Sequence, residues 1–152
     1  PPHPIGDCHV KISFHGADRT VTGSCHLVEC AGKRILIDCG LFQGSRELAE
    51  DNAEPFGFDP KAIDYVLLTH AHLDHCGRLP LLARRGFTGE IIATAATREL
   101  ARMVMLDSAR IQEEDAERAR RRRKGRPNDE DGDEPLYGVL DAMNVLEFFG
   151  HL

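Results

Sequence analysis

Apolar positions along the chain predict five strands. Apolar residues alternate at Val10, Ile12 and Phe14, which is the period-2 pattern of a half-buried strand. Residues 65–69 instead form a short continuous apolar run, which is typical of a strand covered on both faces. The predicted strands are residues 10–14, His26–Cys30, 34–38, 65–69 and 90–93.

Three helices are also predicted, one between the last two strands and two after the last strand. The first covers residues 78–85 and ends at Gly86. The second begins with Thr97 as its N-cap and becomes highly charged near Glu113. Its apolar face is predicted to consist of Leu100, Met103, Val104 and Ile111. The third covers residues 139–149. Strands first, then strands alternating with helices, predict an α/β (α+β) fold in layers.

Composition limits the class of protein. The chain has 152 residues, of which 41% are hydrophobic and 29% charged, as in a globular protein. No apolar run approaches the ~20 residues of a membrane-spanning helix, and no signal peptide opens the chain. The net charge of −6 argues against a surface that binds nucleic acid throughout. Five cysteines without a C-x-x-C pair indicate a reducing, cytoplasmic compartment rather than a disulfide framework or a cysteine zinc site.

Residues 69–75 read Thr-His-Ala-His-Leu-Asp-His and carry the candidate chemistry. Alternate residues of an extended chain point the same way, so His70 and His72 can converge on one point after the strand. Asp74 and His75 follow where the chain turns, and can reach a second point nearby. Imidazole and carboxylate ligands suit zinc. Two zinc ions about 3.5–4 Å apart can ionise a water and stabilise a displacement reaction.

Several segments resemble a known family. The H-x-H-x-D-H pattern of residues 70–75 resembles the signature of the metallo-β-lactamase fold, a four-layered αββα sandwich of hydrolases. Residues 16–24 (Gly-Ala-Asp-Arg-Thr-Val-Thr-Gly-Ser), 36–44 (Leu-Ile-Asp-Cys-Gly-Leu-Phe-Gln-Gly) and 76–80 (Cys-Gly-Arg-Leu-Pro) resemble its RNA-processing branch, the β-CASP nucleases. The resemblance extends from about residue 10 to residue 152.

The resemblance implies a zinc-dependent hydrolase of RNA phosphodiester bonds, either an endonuclease or an exonuclease. In that family His70 and His72 would bind the first zinc, and Asp74 and His75 the second. Asp74 would also be a candidate for proton transfer with the attacking water, although a zinc-bound carboxylate is a weak base. Asp38 would orient the ligand loop without binding metal. From its position alone, Asp38 could equally be a turn residue at a strand end.

The ligand count predicts that the site needs more polypeptide. Four ligands shared by two metals leave each ion at least one short of four-coordination. No later residue resembles the missing ligands, because His151 lacks the family's surrounding motif. We therefore expect residues 1–152 to be the N-terminal portion of the domain, the first half of the αββα sandwich. The second half and the β-CASP segment would be absent, one sheet face would be exposed, and a homodimer would be one way to cover it.

Two features leave alternatives open. Residues 118–126 hold seven basic residues in nine, and residues 128–134 hold five acidic residues in seven. The basic run could contact RNA phosphates, but the acidic block beside it favours a charged flexible insertion at about 114–136. His9, His15 and His26 are interpreted as strand or loop residues rather than ligands.

Two other functions compete with RNA hydrolysis. One is a thioester or lactone hydrolase of the same fold, and the other is a catalytically incompetent fragment that needs a partner or only binds metal.

Overall fold

The computed structural model describes residues 9–45, 50–123 and 134–150. In this part of the chain five strands form one sheet in the order β1-β2-β3-β4-β5. The strands are β1 (Lys11–Phe14), β2 (His26–Cys30), β3 (Lys33–Ile37), β4 (Tyr65–Leu67) and β5 (Glu90–Ile92). The helices are α1 (Leu73–Cys76), α2 (Leu79–Arg84), α3 (Ala95–Arg123) and α4 (Val139–Asn144). Every predicted strand is therefore confirmed, with bounds that differ by one or two residues.

The sheet changes from antiparallel to parallel at β3. β1, β2 and β3 pair antiparallel, and the β2–β3 turn places Ala31 and Gly32 at φ values of 49° and 74°. β3, β4 and β5 pair parallel, with Ile37 beside Leu67 and Leu67 beside Ile92. Because β3 and β4 run in the same direction, their carboxyl ends meet at one edge of the sheet. The residues that follow each strand are brought together there.

The helices cover one face of the sheet. Leu27, Leu36, Val66 and Ile91 lie opposite one another on four strands and are all buried against the helices. The opposite face carries Phe14, Leu67 and Ile92, whose side chains are 62%, 37% and 38% exposed. The prediction that residues 65–69 are covered on both faces is therefore wrong for the described residues. The exposure expected for one sheet face is observed.

Helix α3 differs from its prediction at the N-terminus and in its buried face. The helix begins at Ala95, and the side-chain oxygen of Thr94 accepts the backbone N–H of Thr97, so Thr94 is the N-cap rather than Thr97. Most of the face predicted to be buried is exposed: the side chains of Leu100, Met103 and Ile111 are 56%, 63% and 54% exposed, while Val104 is half-buried. The buried residues of α3 are Ala101, Met105, Ser108, Ala109 and Ala116.

Helix α3 also extends further than predicted. It continues to Arg123, so the first ten residues of the segment expected as a flexible insertion are helical. Arg118 pairs with Glu114 and Asp115, and Arg121 pairs with Glu117, one helical turn away in each case. Residues 124–133, which hold the rest of the charged run, lie outside the described residues.

The last predicted helix is divided in two. Its first part is α4, and the second part, Val145–Phe148, is a 3₁₀ turn. The backbone then runs beside β5, where Gly150 N donates to Ile91 O at 3.0 Å. Across the described residues, none of the helices has the length and apolar character needed to cross a membrane.

Candidate metal centre

The four predicted ligands lie between the end of β4 and the first turn of α1. His70 and His72 follow the strand in extended backbone, and His72 is the N-cap of α1 with φ −69° and ψ 146°. Asp74 and His75 lie inside the first turn of that helix. The ring centroid of His70 is 4.7 Å from that of His72 and 3.9 Å from that of His75. The Nε2 atom of His75 is 3.5 Å from Asp74 Oδ2. The structure therefore brings all four side chains into one cluster.

Asp38 lies at the end of β3, beside this cluster. Its side chain is 2% exposed, and its backbone has φ +60°, a conformation that Asp tolerates better than most residues. One carboxylate oxygen accepts the Thr69 backbone N–H at 2.8 Å, and the other lies 2.7 Å from His75 Nδ1. The Ser24 hydroxyl also donates to Asp38, at 3.3 Å. The carboxylate thus links the two strand ends that meet at this edge.

These contacts determine which histidine nitrogens are free. An ionised carboxylate can only accept hydrogen bonds, so this contact places a proton on His75 Nδ1, and in the neutral ring Nε2 then keeps its lone pair. The Thr69 hydroxyl lies 2.9 Å from Asp38 Oδ2 and 2.9 Å from His70 Nδ1. A hydroxyl that donates to the carboxylate must accept from His70, so His70 Nδ1 is also protonated. Both rings are left with Nε2 available to a metal ion.

The four side chains are ligand types that suit a borderline divalent metal, but in this structure they are not arranged around a metal ion. Three imidazoles and a carboxylate are the ligand types of zinc sites in hydrolases. Within residues 9–45, 50–123 and 134–150, no group of three or more His, Cys, Asp or Glu side chains has an arrangement that could hold a metal ion. The fit therefore rests on the chemistry of the donors and on the free Nε2 atoms.

Backbone contacts join the ligand loop to the turn that follows Asp38. Ser24 N donates to Asp74 O, Cys39 N to His75 O and Leu41 N to Leu73 O, each at 2.8 Å. A side chain at Gly40 would overlap the carbonyl of Asp74, so only glycine allows this approach. Two backbones are in direct contact here, which limits how far the ligand loop can move.

Sequence reasoning did not identify several residues that support the site. Thr69 and Arg78 each contact Asp38 or its turn, and neither was singled out as a site residue. Gly40 and Ser24 were noticed only as parts of family-like segments. Their contacts cross gaps in sequence such as the 31 residues between Thr69 and Asp38, which local periodicity cannot detect. The one available signal for Thr69 is its place directly before His70.

Two other described histidines, His15 and His26, pack against aromatic rings. The His15 ring packs edge-on against Phe58 at 4.9 Å, and His26 packs against Phe14 at 5.3 Å. Burial lowers the pKa of His15 below its ordinary value, which favours the neutral ring. His9 is exposed at the start of the described residues, and His151 lies outside them.

The thiols of Cys25 and Cys76 near this cluster are held in the protonated form. Burial raises the pKa of the Cys76 thiol to about 12, so it stays protonated at neutral pH. Cys76 donates to the Ala71 carbonyl at 3.6 Å. Burial and a contact with Cys39 also raise the pKa of Cys25 well above its ordinary value. In contrast, although the thiol of Cys39 is buried, the hydrogen bond with Cys25 and the nearby Arg78 lower its pKa.

Comparison with known proteins identifies a family. Residues 18–151 match the model described as the Metallo-beta-lactamase superfamily. A relative named Ribonuclease TTHA0252, from Thermus thermophilus, is 54% identical over 143 residues, which are 94% of this chain and 27% of the relative. Transcription termination factor FttA of Methanocaldococcus jannaschii is 38% identical over 106 residues, 70% of this chain and 17% of the relative.

A eukaryotic protein and a solved structure extend the comparison. Cleavage and polyadenylation specificity factor 73 of Drosophila melanogaster is 35% identical over 105 residues, 67% of this chain and 15% of the relative. The chain thus spans about a quarter or less of the length of these relatives. The solved subclass B3 metallo-beta-lactamase BJP-1 of Bradyrhizobium japonicum is 26% identical, with a TM-score of 0.43 over 64% of this chain and 33% of that one. The sequence matches are the stronger finding.

Proposed function

Because the chain belongs to the metallo-beta-lactamase superfamily and its relatives are the β-CASP nucleases that its motifs resemble, we propose that it takes part in the hydrolysis of RNA phosphodiester bonds with two zinc ions. The observation that carries the proposal is the cluster of His70, His72, Asp74 and His75 beside the buried Asp38. The relative named as a ribonuclease supports RNA as the substrate.

The family resemblance implies the roles of the metal ligands, and the contacts of Asp38 support its role. His70 and His72 would hold the first zinc, and Asp74 and His75 the second. When bound, two such ions supply a nucleophilic hydroxide and stabilise the charge that develops at phosphorus. Asp38 accepts a hydrogen bond from His75 Nδ1–H, which favours the neutral tautomer with a free Nε2, and it reaches His70 through the Thr69 hydroxyl. Asp38 is therefore a positioning residue, and Asp74 is a ligand that can also accept a proton from the attacking water.

Both zinc ions need ligands that this cluster does not supply. Four side chains shared by two ions leave each below four-coordination. We propose that further polypeptide supplies the missing ligands and covers the exposed sheet face, so that residues 1–152 form the N-terminal portion of the domain. The apolar side chains of Phe14, Leu67 and Ile92 on that face support the proposal. Among the described residues, Cys25, Cys39 and Cys76 form no disulfide, which supports a cytoplasmic location.

The first prediction concerns the metal ligands. In the protein that carries this chain, Asp74→Ala or His75→Ala should reduce cleavage of single-stranded RNA at least about a thousandfold, because each variant loses a side chain that would hold a zinc ion. RNA binding should change little, since neither side chain is expected to contact the RNA. Rates come from single-turnover cleavage of an end-labelled RNA, and affinities from filter binding.

His9→Ala is the matched control, because His9 is exposed and is not part of the cluster. It should cleave at the wild-type rate. Equal losses of cleavage and of RNA binding in Asp74→Ala would contradict the assigned role. Cleavage of a thioester or lactone in place of RNA would favour the alternative hydrolase. Less than one zinc per chain together with no cleavage would favour the incompetent fragment.

A further inference from the structure

Arg78 is a buried cation next to the turn that carries Asp38. Its side chain is 3% exposed and lies between two aromatic rings, with the guanidinium carbon 4.6 Å from the centroid of Phe42 and 5.2 Å from that of Phe56. Its Nε donates to the Gly40 carbonyl at 2.6 Å. Among the described residues, its Nη2 atom is buried without a hydrogen-bond partner.

The guanidinium holds the same turn that the ligand loop contacts. The Arg78 backbone N–H donates to Cys39 O at 2.9 Å, and Cys39 N donates to His75 O at 2.8 Å. Gly40, whose carbonyl accepts from Arg78 Nε, packs directly on the backbone of Asp74. Arg78 therefore fixes the backbone on one side of the turn, and the ligand loop lies on the other.

Burying a cation next to Phe42 and Phe56 is energetically unfavourable. Burying a charge without a carboxylate partner is unfavourable, and hydrophobic residues of similar volume commonly replace buried charged groups without loss of stability. The aromatic rings offset part of that cost. Packing alone therefore does not account for an arginine here. What only the planar guanidinium supplies is a rigid donor to the Gly40 carbonyl while it is stacked between two rings.

We propose that Arg78 is a positioning residue that holds the Asp38 turn against the ligand loop and thereby raises the affinity of the site for its metal ions. This inference rests on the proposed function, because it assumes that the histidine cluster binds metal. The role proposed for Arg78 involves no direct contact with the metal ions or with RNA. It acts through Gly40 and Cys39 on the placement of Asp38.

The test is the affinity of Arg78→Met for cobalt(II), measured in the protein that carries this chain, which includes the missing ligands. Methionine fills the space between Phe42 and Phe56 but cannot donate to Gly40. Cobalt affinity should fall about 10–100-fold, the usual effect of removing a residue that supports metal ligands. The melting temperature of the metal-free protein should stay within a few degrees of wild type or rise. Cobalt binding is followed by its visible absorption, which also reports changes in coordination.

Arg85→Met is the matched control. The Arg85 guanidinium also lies 5.2 Å from the Phe56 ring, but it donates to the carbonyls of Ala53 and Glu54 and not to the Asp38 turn. Its cobalt affinity should equal that of wild type. Arg78→Lys keeps the charge without the planar donor and should also bind cobalt several-fold more weakly. If Arg78→Met does not fold, the cobalt affinity of Arg78→Lys tests the positioning role instead.

The outcomes separate this inference from the proposed function. Wild-type cobalt affinity in both Arg78 variants would overturn the positioning role, whatever happens to the melting temperature. Equal weakening in Arg85→Met would also overturn it, because the effect would then come from the Phe56 stack. A wild-type protein, including the polypeptide that supplies the missing ligands, that takes up no cobalt would overturn the proposed function itself, and the inference with it.

Discussion

At the scale of single residues, the carboxylate of Asp38 controls which ring nitrogens of His70 and His75 carry a proton. Its two oxygens face different donors: one accepts the Thr69 backbone N–H, and the other is close to His75 Nδ1 and the Thr69 hydroxyl. The backbone amide of Thr69 cannot change its protonation, whereas a histidine can move its proton from one nitrogen to the other. This difference makes the role of Asp38 measurable.

Asp38→Asn should therefore shift the proton of His75. The asparagine oxygen must face the Thr69 N–H, so its NH₂ group faces His75 Nδ1 and the ring proton moves to Nε2. Asparagine tolerates the φ of +60°, so the backbone is not strained. Metal affinity should fall about 10–100-fold, because Nε2 is no longer a free donor. Nitrogen-15 NMR of the ring reports the tautomer directly.

Asp64→Asn is the control for this prediction. Asp64 likewise accepts from a backbone N–H, that of Arg34 at 2.8 Å, but it lies away from the ligand loop. The tautomer of His75 and the metal affinity should be unchanged in Asp64→Asn. A His75 ring that keeps its Nδ1 proton in Asp38→Asn would contradict the role assigned to Asp38.

The sequence was informative about these residues to different degrees. Alternation in an extended segment was enough to predict that His70 and His72 converge, because side-chain direction follows from local backbone geometry. Asp38 was indicated only by family resemblance, since its contact with His75 joins residues 37 positions apart. Arg78 could not be predicted, because its aromatic neighbours and its acceptor depend on tertiary packing.

At the scale of elements, helix α3 shows where periodicity gives the wrong answer. Leu100, Met103 and Ile111 have helical spacing, which predicts a buried face, yet all three are exposed. Much of the buried side consists of small residues such as Ala101 and Ala109, which allow α1 and α4 to approach closely. Close packing can thus select a face that is less hydrophobic than its neighbour. The five strands were easier to predict, because alternation and short apolar runs indicate extended backbone whichever face is covered, and the alternating residues of β1 lie on the exposed face.

Tyr137 anchors the segment before α4 to α3. Its ring is fully buried and its hydroxyl donates to Ser108 Oγ at 3.1 Å, while burial raises its pKa to about 12. Tyr137→Phe should lower the free energy of unfolding by about 1 kcal/mol, the net value of one hydrogen bond. Tyr137→Ala should lower it by about 3–5 kcal/mol, because a buried ring is lost. Urea denaturation measures both changes.

The other tyrosine provides the control. Tyr65 is half-buried on β4, and Tyr65→Phe should change stability by less than about 0.5 kcal/mol. A Tyr137→Phe variant as stable as Tyr65→Phe would show that the Ser108 contact contributes nothing to docking of this segment.

At the scale of the whole molecule, the sheet has one covered and one exposed apolar face. On β1 and beside it, Val10, Ile12 and Phe14 are 57%, 54% and 62% exposed. An apolar surface of this kind favours association. The 152-residue chain should therefore self-associate at micromolar concentration, and the double variant Ile12→Thr, Phe14→Thr should reduce this without unfolding, because threonine retains strand propensity. Sedimentation velocity gives the association state.

Val21→Thr is the matched control, since Val21 is 94% exposed on a loop outside the sheet. It should associate as wild type does. A wild-type chain that stays monomeric at high concentration, or a double variant that associates equally well, would show that this face does not need a partner.

The central claim is that RNA hydrolysis depends on zinc held by the His70–His75 segment. Its most direct test is single-turnover cleavage of single-stranded RNA by the protein that carries this chain, before chelation, after chelation and after zinc is returned. Cleavage should disappear with the metal and return as two zinc ions per chain are bound, and His75→Ala should not recover. Cleavage that continues at the same rate in the metal-free protein would contradict the account.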